Sequence, residues 1–258
     1  MGIIARIIKI TQIKMASARY KSFCALMVYV KEFLCFKKKC GADHRFLIEW
    51  KDRYPCLNDK TSATGFDRHY VYHTAWAARI LAKNPPEEHV DISSSLYFCS
   101  LVSAFLKVRY FDYRPADLVL DNLISESADL LSLPFSDESI QSLSCMHVVE
   151  HIGLARYGDS LNPDSDLKAI SELKRVLAPD GLLLFVVPVG GLSIIMFNAH
   201  RIYRYEQVMD YFSDLELKEF VLIPERPENG GLVRNPPKEL IDAQGYGCGC
   251  FCFRKRSL

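Results

Sequence analysis

Between Tyr70 and Leu81 the apolar residues Val71, Ala75, Ala78 and Leu81 recur at three- and four-residue steps. That spacing predicts an amphipathic helix, which the Asn84-Pro85-Pro86 run stops. His89-Val90-Asp91-Ile92 follows as a short strand, Ser93-Ser94-Ser95 as a turn, and Leu96 to Leu106 as a buried helix, together one β-loop-α unit. A second strand, Val108 to Phe111, ends at Asp112 and meets Arg114-Pro115. Ile140 to Met146 reads as a strand, Asp166 to Leu177 as an amphipathic helix, and Leu182 to Val187 as a strand buried on both faces, with Pro179-Asp180-Gly181 as the turn before it. A helix over Tyr205 to Phe212 and strands over Leu217 to Ile223 and Tyr246 to Phe253 complete the pattern. The last two strands are expected to pair across a long loop rich in proline and glycine. Strand and helix alternating at this spacing predict an α/β fold with a mostly parallel sheet and helices on both faces.

Charge divides the chain more sharply than composition does. The whole sequence carries a formal charge of +1, which argues against a surface built for nucleic acid. Residues 1–40, however, hold nine basic side chains and one acid, Glu32. We read residues 1–60 as a basic helical extension and connector, and 61–258 as the α/β domain. The extension either packs as a helix with solvated lysines or lies on an anionic membrane surface through Ile3, Ile4, Ile7, Ile8 and the Phe23 to Val30 run. No stretch is long enough to span a bilayer. Nine scattered cysteines without paired CxxC spacing imply a reducing compartment, the cytoplasm, with membrane-peripheral placement left open. Cys248, Cys250 and Cys252 would share one strand face, where core packing is favoured over metal or lipid attachment.

In an open α/β sheet, ligands bind beyond the carboxyl ends of the strands, so residues ending successive strands belong together. Four such places stand out: Asp91 with the serine turn, Asp112, the Ala128-Asp129-Leu130 loop, and His147 to His151. An acid ending the second strand can accept both ribose hydroxyls of an adenosine, and one in the following loop can accept from an adenine amino group. Each acid also has an ordinary use as a turn or cap residue.

On these segments the chain resembles the class I S-adenosylmethionine-dependent methyltransferases. The most specific portion is Asp129 to Gly181, with Asp129-Leu130-Leu131-Ser132-Leu133-Pro134-Phe135, then Glu150-His151, then Leu177-Ala178-Pro179-Asp180-Gly181. It is also similar to an uncharacterised branch of that fold, a domain of unknown function with Asp-x-Arg-Pro after its second strand. The resemblance implies a Rossmann-like, mostly parallel seven-stranded sheet with an antiparallel C-terminal strand, and S-adenosylmethionine as cofactor. It gives Asp112 the ribose, Asp129 and Leu130 the adenine, and Asp91, Ser93, Ser95 and His147 the rest of the cofactor. The family's Gly-x-Gly turn is replaced here by serines, whose Cβ atoms strain a positive φ. Either the loop follows another path with hydroxyls as donors, or cofactor binding is weak or lost.

Methyl transfer needs an aligned acceptor and, for a hydroxyl or amine, a base. His151, His200 and Glu150 are the candidates, each with an ordinary structural alternative. Arg201 and Arg204 would favour an anionic acceptor. Glu150-His151 holds two metal-ligand types without a third spaced ligand, so no metal site is assigned. The expected activity is methyl transfer to a small molecule, a sugar in the first instance. The competing reading is a non-catalytic methyltransferase-like binding or scaffold module.

Overall fold

The computed structural model describes residues 3–40 and 45–257, and only the backbone of 3–21. Two compact units divide the chain, Met1–Gly65 and Phe66–Leu258. In the first, α1 (Ile3–Cys40) carries Tyr29 and Phe33, and Trp50 returns to pack against them with ring centroids 6.3 and 5.0 Å away. Phe23, Met27, Leu34 and Phe36 on the same helix are exposed. Among the described residues no helix is long and apolar enough to cross a membrane.

The second unit is a Rossmann-like α/β fold. It opens with α2 (Arg68–Lys83), capped where Asp67 accepts from the Tyr70 amide, and continues through β1 (Glu88–Ile92), α3 (Leu96–Val102), β2 (Lys107–Asp112) and β3 (Leu123–Ser127). β4 (Ile140–Met146), α4 (Ser165–Val176) and β5 (Leu177–Val189) follow. A hairpin of β6 (Ile194–Met196) and β7 (His200–Ile202) leads to α5 (Tyr205–Tyr211), β8 (Leu215–Ile223), β9 (Val233–Arg234), α6 (Lys238–Asp242) and β10 (Gly247–Lys255). The main sheet runs β3-β2-β1-β4-β5-β10-β8-β9, with β1 to β5 parallel and β10 antiparallel to both neighbours. The chain steps outward from β1 to β3 and then crosses back to β4, which opens the binding crevice at the β1/β4 boundary.

β10 explains the cysteine spacing. Phe251 and Phe253 face the layer of α4 and α5, where Phe185 and Phe212 meet them, while Cys248, Cys250 and Cys252 face α2 and are buried beside Trp76 and Val186. A period of two therefore sorts large rings to one face and small thiols to the other. The neighbouring layers must leave different depths, because burying a Phe-sized group contributes about 1.5–3 kcal/mol only where room exists.

Four readings change. β3 escapes the hydrophobic pattern because it is an outer strand with only Leu123 buried, and the β6–β7 hairpin is missed because Ile194, Ile195 and Met196 are exposed. Pro179-Asp180-Gly181 is a bulge inside β5 instead of a turn before it: Ile140 pairs with Leu177 and Ser142 with Leu182, so the intervening residues loop out. Asp180 has φ +61° there, and a Cβ on Gly181 would stand 2.8 Å from the Ala178 carbonyl oxygen. The sheet has eight strands, the extra one being the two-residue β9 that the long return lays along β8.

Candidate functional site

The serine turn adopts the left-handed path that its side chains make costly. Ser93 has φ +55°, held by its amide and hydroxyl, which both donate to the Phe111 carbonyl at 2.7 and 3.1 Å. The Ser94 amide donates to Asp91 Oδ1 at 3.0 Å, and the Ser94 hydroxyl accepts from the Met146 amide at 2.9 Å. Ser95 stands at the N-cap of α3 without a side-chain cap bond. Hydroxyls thus tie the turn to β2 and β4, which offsets the conformational cost of roughly 1–2 kcal/mol.

Asp91 does not reach the crevice. It is fully buried, and its Oδ2 accepts from the Ser144 hydroxyl, which in turn meets His89 Nε2 at 2.9 Å; Ser142 Oγ lies 2.7 Å from His89 Nδ1. Burial pushes Asp91 up to about 6 and His89 down to about 3. The acid therefore fixes β1 against β4 from inside the sheet. Asp112, half-buried, accepts from Tyr110 Oη at 3.0 Å and from the Arg114 amide at 2.8 Å. Exposed Asp129 accepts from the Leu131 amide at 2.8 Å, while Leu130 is buried in the core. The Ala128 amide donates to the Asp112 carbonyl, so the two acids occupy adjacent turns, next to the Ser93 turn that hangs on Phe111.

Beyond β4 the remaining candidates converge. His147, Glu150, His151 and His200 line one cavity of about 520 Å³, with His69 and Tyr246 completing its wall. His147 turns at φ +59° and its Nδ1 is 2.7 Å from Glu150 Oε1, so it belongs to this cavity and not to the serine turn. Glu150 is 1% exposed and its Oε2 has no partner; burial raises its pKa to about 7. His151 Nδ1 lies 2.7 Å from the Ala199 carbonyl oxygen and 3.1 Å from Arg156 Nη1, which donates to the same carbonyl, while its Nε2 is 3.8 Å from Glu150 Oε1. Burial lowers the pKa of both His151 and His200, and His200 Nε2 is unpartnered.

Arg201 is no acceptor-binding group at the entrance. It is buried and clamps the loop after β4, donating to the carbonyls of Ile152 at 2.7 Å and Pro163 at 2.9 Å, with Asp166 Oδ2 3.5 Å from Nε. Arg204 is exposed. The clamp also holds the segment that bridges the two halves of the site: the Tyr157 ring has the guanidinium groups of Arg114 and Arg156 5.0 and 5.2 Å from its centroid, and stands edge-on to His151 at 6.0 Å. A second, apolar cavity of about 740 Å³ between α2 and α3 reaches Ser95 and shares Asp67 and Tyr70 with the histidine cavity. Neither cavity includes Asp112 or Asp129.

Several residues in and behind the cavity wall escaped the sequence reading. His69 and His73 stand four apart at the start of α2, a spacing that puts two imidazoles on one helix face. Their rings lie 5.3 and 5.1 Å from that of His147, and Cys248 Sγ is 3.4 Å from His147 Nε2. Burial pushes His69 and His147 down to about 4 and His73 to about 3. The i,i+4 histidine pair was the available signal.

Comparison with known proteins bears on the fold. A family described as "Caenorhabditis protein of unknown function, DUF268" matches residues 135–217. None of the curated proteins matches the chain. Among solved structures, the N-methyltransferase NodS from Bradyrhizobium japonicum, in complex with S-adenosylhomocysteine, is similar at 14% identity and a TM-score of 0.52, over 87% of this chain and 98% of that one. A Galdieria sulphuraria protein assigned as a sarcosine dimethylglycine methyltransferase gives 14% identity and 0.51, over 72% and 86%. The [4+2]-cyclase SpnF gives 13% and 0.50, over 72% and 81%. The chain has a class I S-adenosylmethionine-methyltransferase-like fold. SpnF shows that the fold also carries other chemistry.

Proposed function

We propose that the α/β domain is an S-adenosylmethionine-dependent methyltransferase acting on a small molecule. One observation carries this reading: the turns after β1, β2 and β3 stand side by side at the carboxyl edge, and the titratable cavity after β4 adjoins them across Arg114, Tyr157 and Arg156. In this reading Asp112 holds the ribose hydroxyls, Asp129 faces the adenine, and the amides at the start of α3 face the methionine end. The bound cofactor supplies an electrophilic methyl group. The protein's own part is to position the acceptor and to take its proton.

His151 is the base in this scheme. In the tautomer that donates Nδ1–H to the Ala199 carbonyl 2.7 Å away, Nε2 presents a lone pair to the cavity, and the nearby Glu150 carboxylate stabilises the imidazolium that forms. His200, with a free nitrogen beside Tyr246, orients the acceptor. A cavity walled by imidazoles, Tyr246, Arg156 and Asn198 suits a polyhydroxylated acceptor such as a sugar. NodS and the Galdieria protein support the small-molecule class by fold alone.

A specific observation favours the non-catalytic alternative: Asp91, Asp112 and Asp129 all spend carboxylate oxygens on neighbouring protein groups, and Ser93 stands where glycine is easiest. Calorimetric titration of the full chain with S-adenosylmethionine and S-adenosylhomocysteine separates the two. Binding of either below millimolar concentration is the expected result; no heat from either ligand at millimolar concentration would remove the methyltransferase reading.

A further inference from the structure

We propose that His69, His147 and Cys248 form a zinc site on the inner wall of the histidine cavity. One ligand atom from each lies within 4.8 Å of the other two, although the residues come from α2, the turn after β4, and β10. Tetrahedral zinc, with bonds of about 2.0 Å to nitrogen and 2.3 Å to sulfur, sets a nitrogen and a sulfur ligand roughly 3.5 Å apart. His147 Nε2 and Cys248 Sγ are 3.4 Å apart. His69, the half-buried member, lines the cavity, so the fourth position faces that space and is open to water or substrate.

The surroundings are those of a supported ligand. Glu150 Oε1 is 2.7 Å from His147 Nδ1, and by accepting a hydrogen bond from Nδ1–H it would set the tautomer with its Nε2 lone pair toward Cys248, the carboxylate–histidine–metal relay. The other Glu150 oxygen is buried without a partner, and His73 Nε2, whose ring lies 5.1 Å from that of His147, is buried and unpartnered as well. A buried carboxylate with an unpaired oxygen is costly, and a dication one imidazole away supplies the opposing charge. Cys248 and Cys250 have sulfurs 4.0 Å apart and are free thiols, so Cys248 is available; on binding it releases its proton to solvent and ligates as thiolate. Two imidazoles and one thiolate select a soft to borderline cation. The open position is aimed at a polar cavity and no methionine lines it, which favours zinc over a blue-copper arrangement.

The site does not depend on methyl transfer, so its test reads metal directly. The full chain, expressed in zinc-supplemented medium and gel-filtered, should carry about one zinc per chain. After chelation, cobalt(II) should bring up a thiolate-to-cobalt charge-transfer band with tetrahedral visible absorption. Cys248→Ala and His147→Ala should lose stoichiometric zinc and Cys248→Ala the charge-transfer band, whereas His200→Ala, in the same cavity but outside the triad, should keep both. Glu150→Gln should weaken zinc by roughly 10- to 100-fold. Circular dichroism checks that each variant is folded, and if the triad variants unfold, the cobalt spectrum of the unmodified chain decides alone. A folded chain that carries no zinc and shows no thiolate band at saturating cobalt would overturn the site. Copper as the bound metal, or equal zinc affinity in folded Cys248→Ala, would do the same.

Discussion

The two halves of the sheet's carboxyl edge solve the same problem in opposite ways. Around β1, β2 and β3 the acids that end or follow the strands are paired within the protein: Asp91 through Ser144 and the Ser94 amide, Asp112 through Tyr110 and Arg114, Asp129 through its own turn, and only the Ser125 hydroxyl on β3 is buried without a partner among the described residues there. Around β4, β7 and β10, Glu150 Oε2 and His200 Nε2 are buried without partners, and His73 Nε2 beside them is too. Paired groups rigidify a frame, while unpaired buried groups cost free energy that folding alone does not repay. The first half thus reads as a rigid frame against which the adenosine would lie in the proposed reading, and the second as the part left open to the acceptor.

Substitution can break this contrast at its strongest point first. Ser144→Ala leaves both Asp91 Oδ2 and His89 Nε2 short of a partner inside the sheet, and should cost about 3 kcal/mol in urea denaturation. A loss under 1 kcal/mol would mean that the scaffold half is not held by its polar network. Arg201→Met releases the loop after β4 and should cost about 2 kcal/mol, with faster hydrogen exchange over residues 150–163. Unchanged exchange there would contradict the clamp.

The pH dependence of stability sharpens the comparison within the scaffold half. His89, held near 3 against its ordinary 6.5, contributes stability that is complete above pH 6.5 and is lost as pH falls toward 3. Asp91, held near 6 against 3.8, contributes stability that is complete below 3.8 and is lost as pH rises through 6. Between about pH 4 and 6 the proton His89 gains on unfolding is matched by the one Asp91 gives up. Asp91→Asn removes that match, so its stability should fall on acidification about 1.4 kcal/mol per pH unit more steeply than the unmodified chain. Parallel curves would show that the two groups do not offset each other. The smallest effect on stability is expected at Asp112→Ala, about 1 kcal/mol, with a tenfold or larger loss of S-adenosylhomocysteine affinity by calorimetry. Equal affinity in that variant would detach the ribose role from Asp112.

Legibility from sequence followed the same division. β5 with its continuous apolar run, β4 with apolar residues at Ile140, Leu143, Cys145 and Met146, and the helices with a clear apolar stripe, α2 and α4, stood out because burial leaves a run or a period. β3 and the β6–β7 hairpin left none, being short and largely exposed. Glu150, His151 and His200, which line one cavity, could be grouped from sequence because they follow strands in the order of the fold. His69 and Cys248 were not, since the first stands at the start of the helix before β1 and the second is on β10, six strands after β4 in sequence. Asp91 was misread for a physical reason: an acid ending a strand points either into the crevice or into the sheet, and only Ser144 across from it, invisible in a linear pattern, decides. Arg201 reversed likewise, because its partners are backbone carbonyls, which leave no trace in residue identity.

The most direct measurement is a crystal structure of the full chain grown with S-adenosylhomocysteine. The account expects the ribose on Asp112, the adenine beside Asp129, and the thioether sulfur directed at the cavity of His147, Glu150 and His151. Adenosine bound away from the β1/β4 crevice, or a crevice that excludes the ligand at saturating concentration, would contradict it.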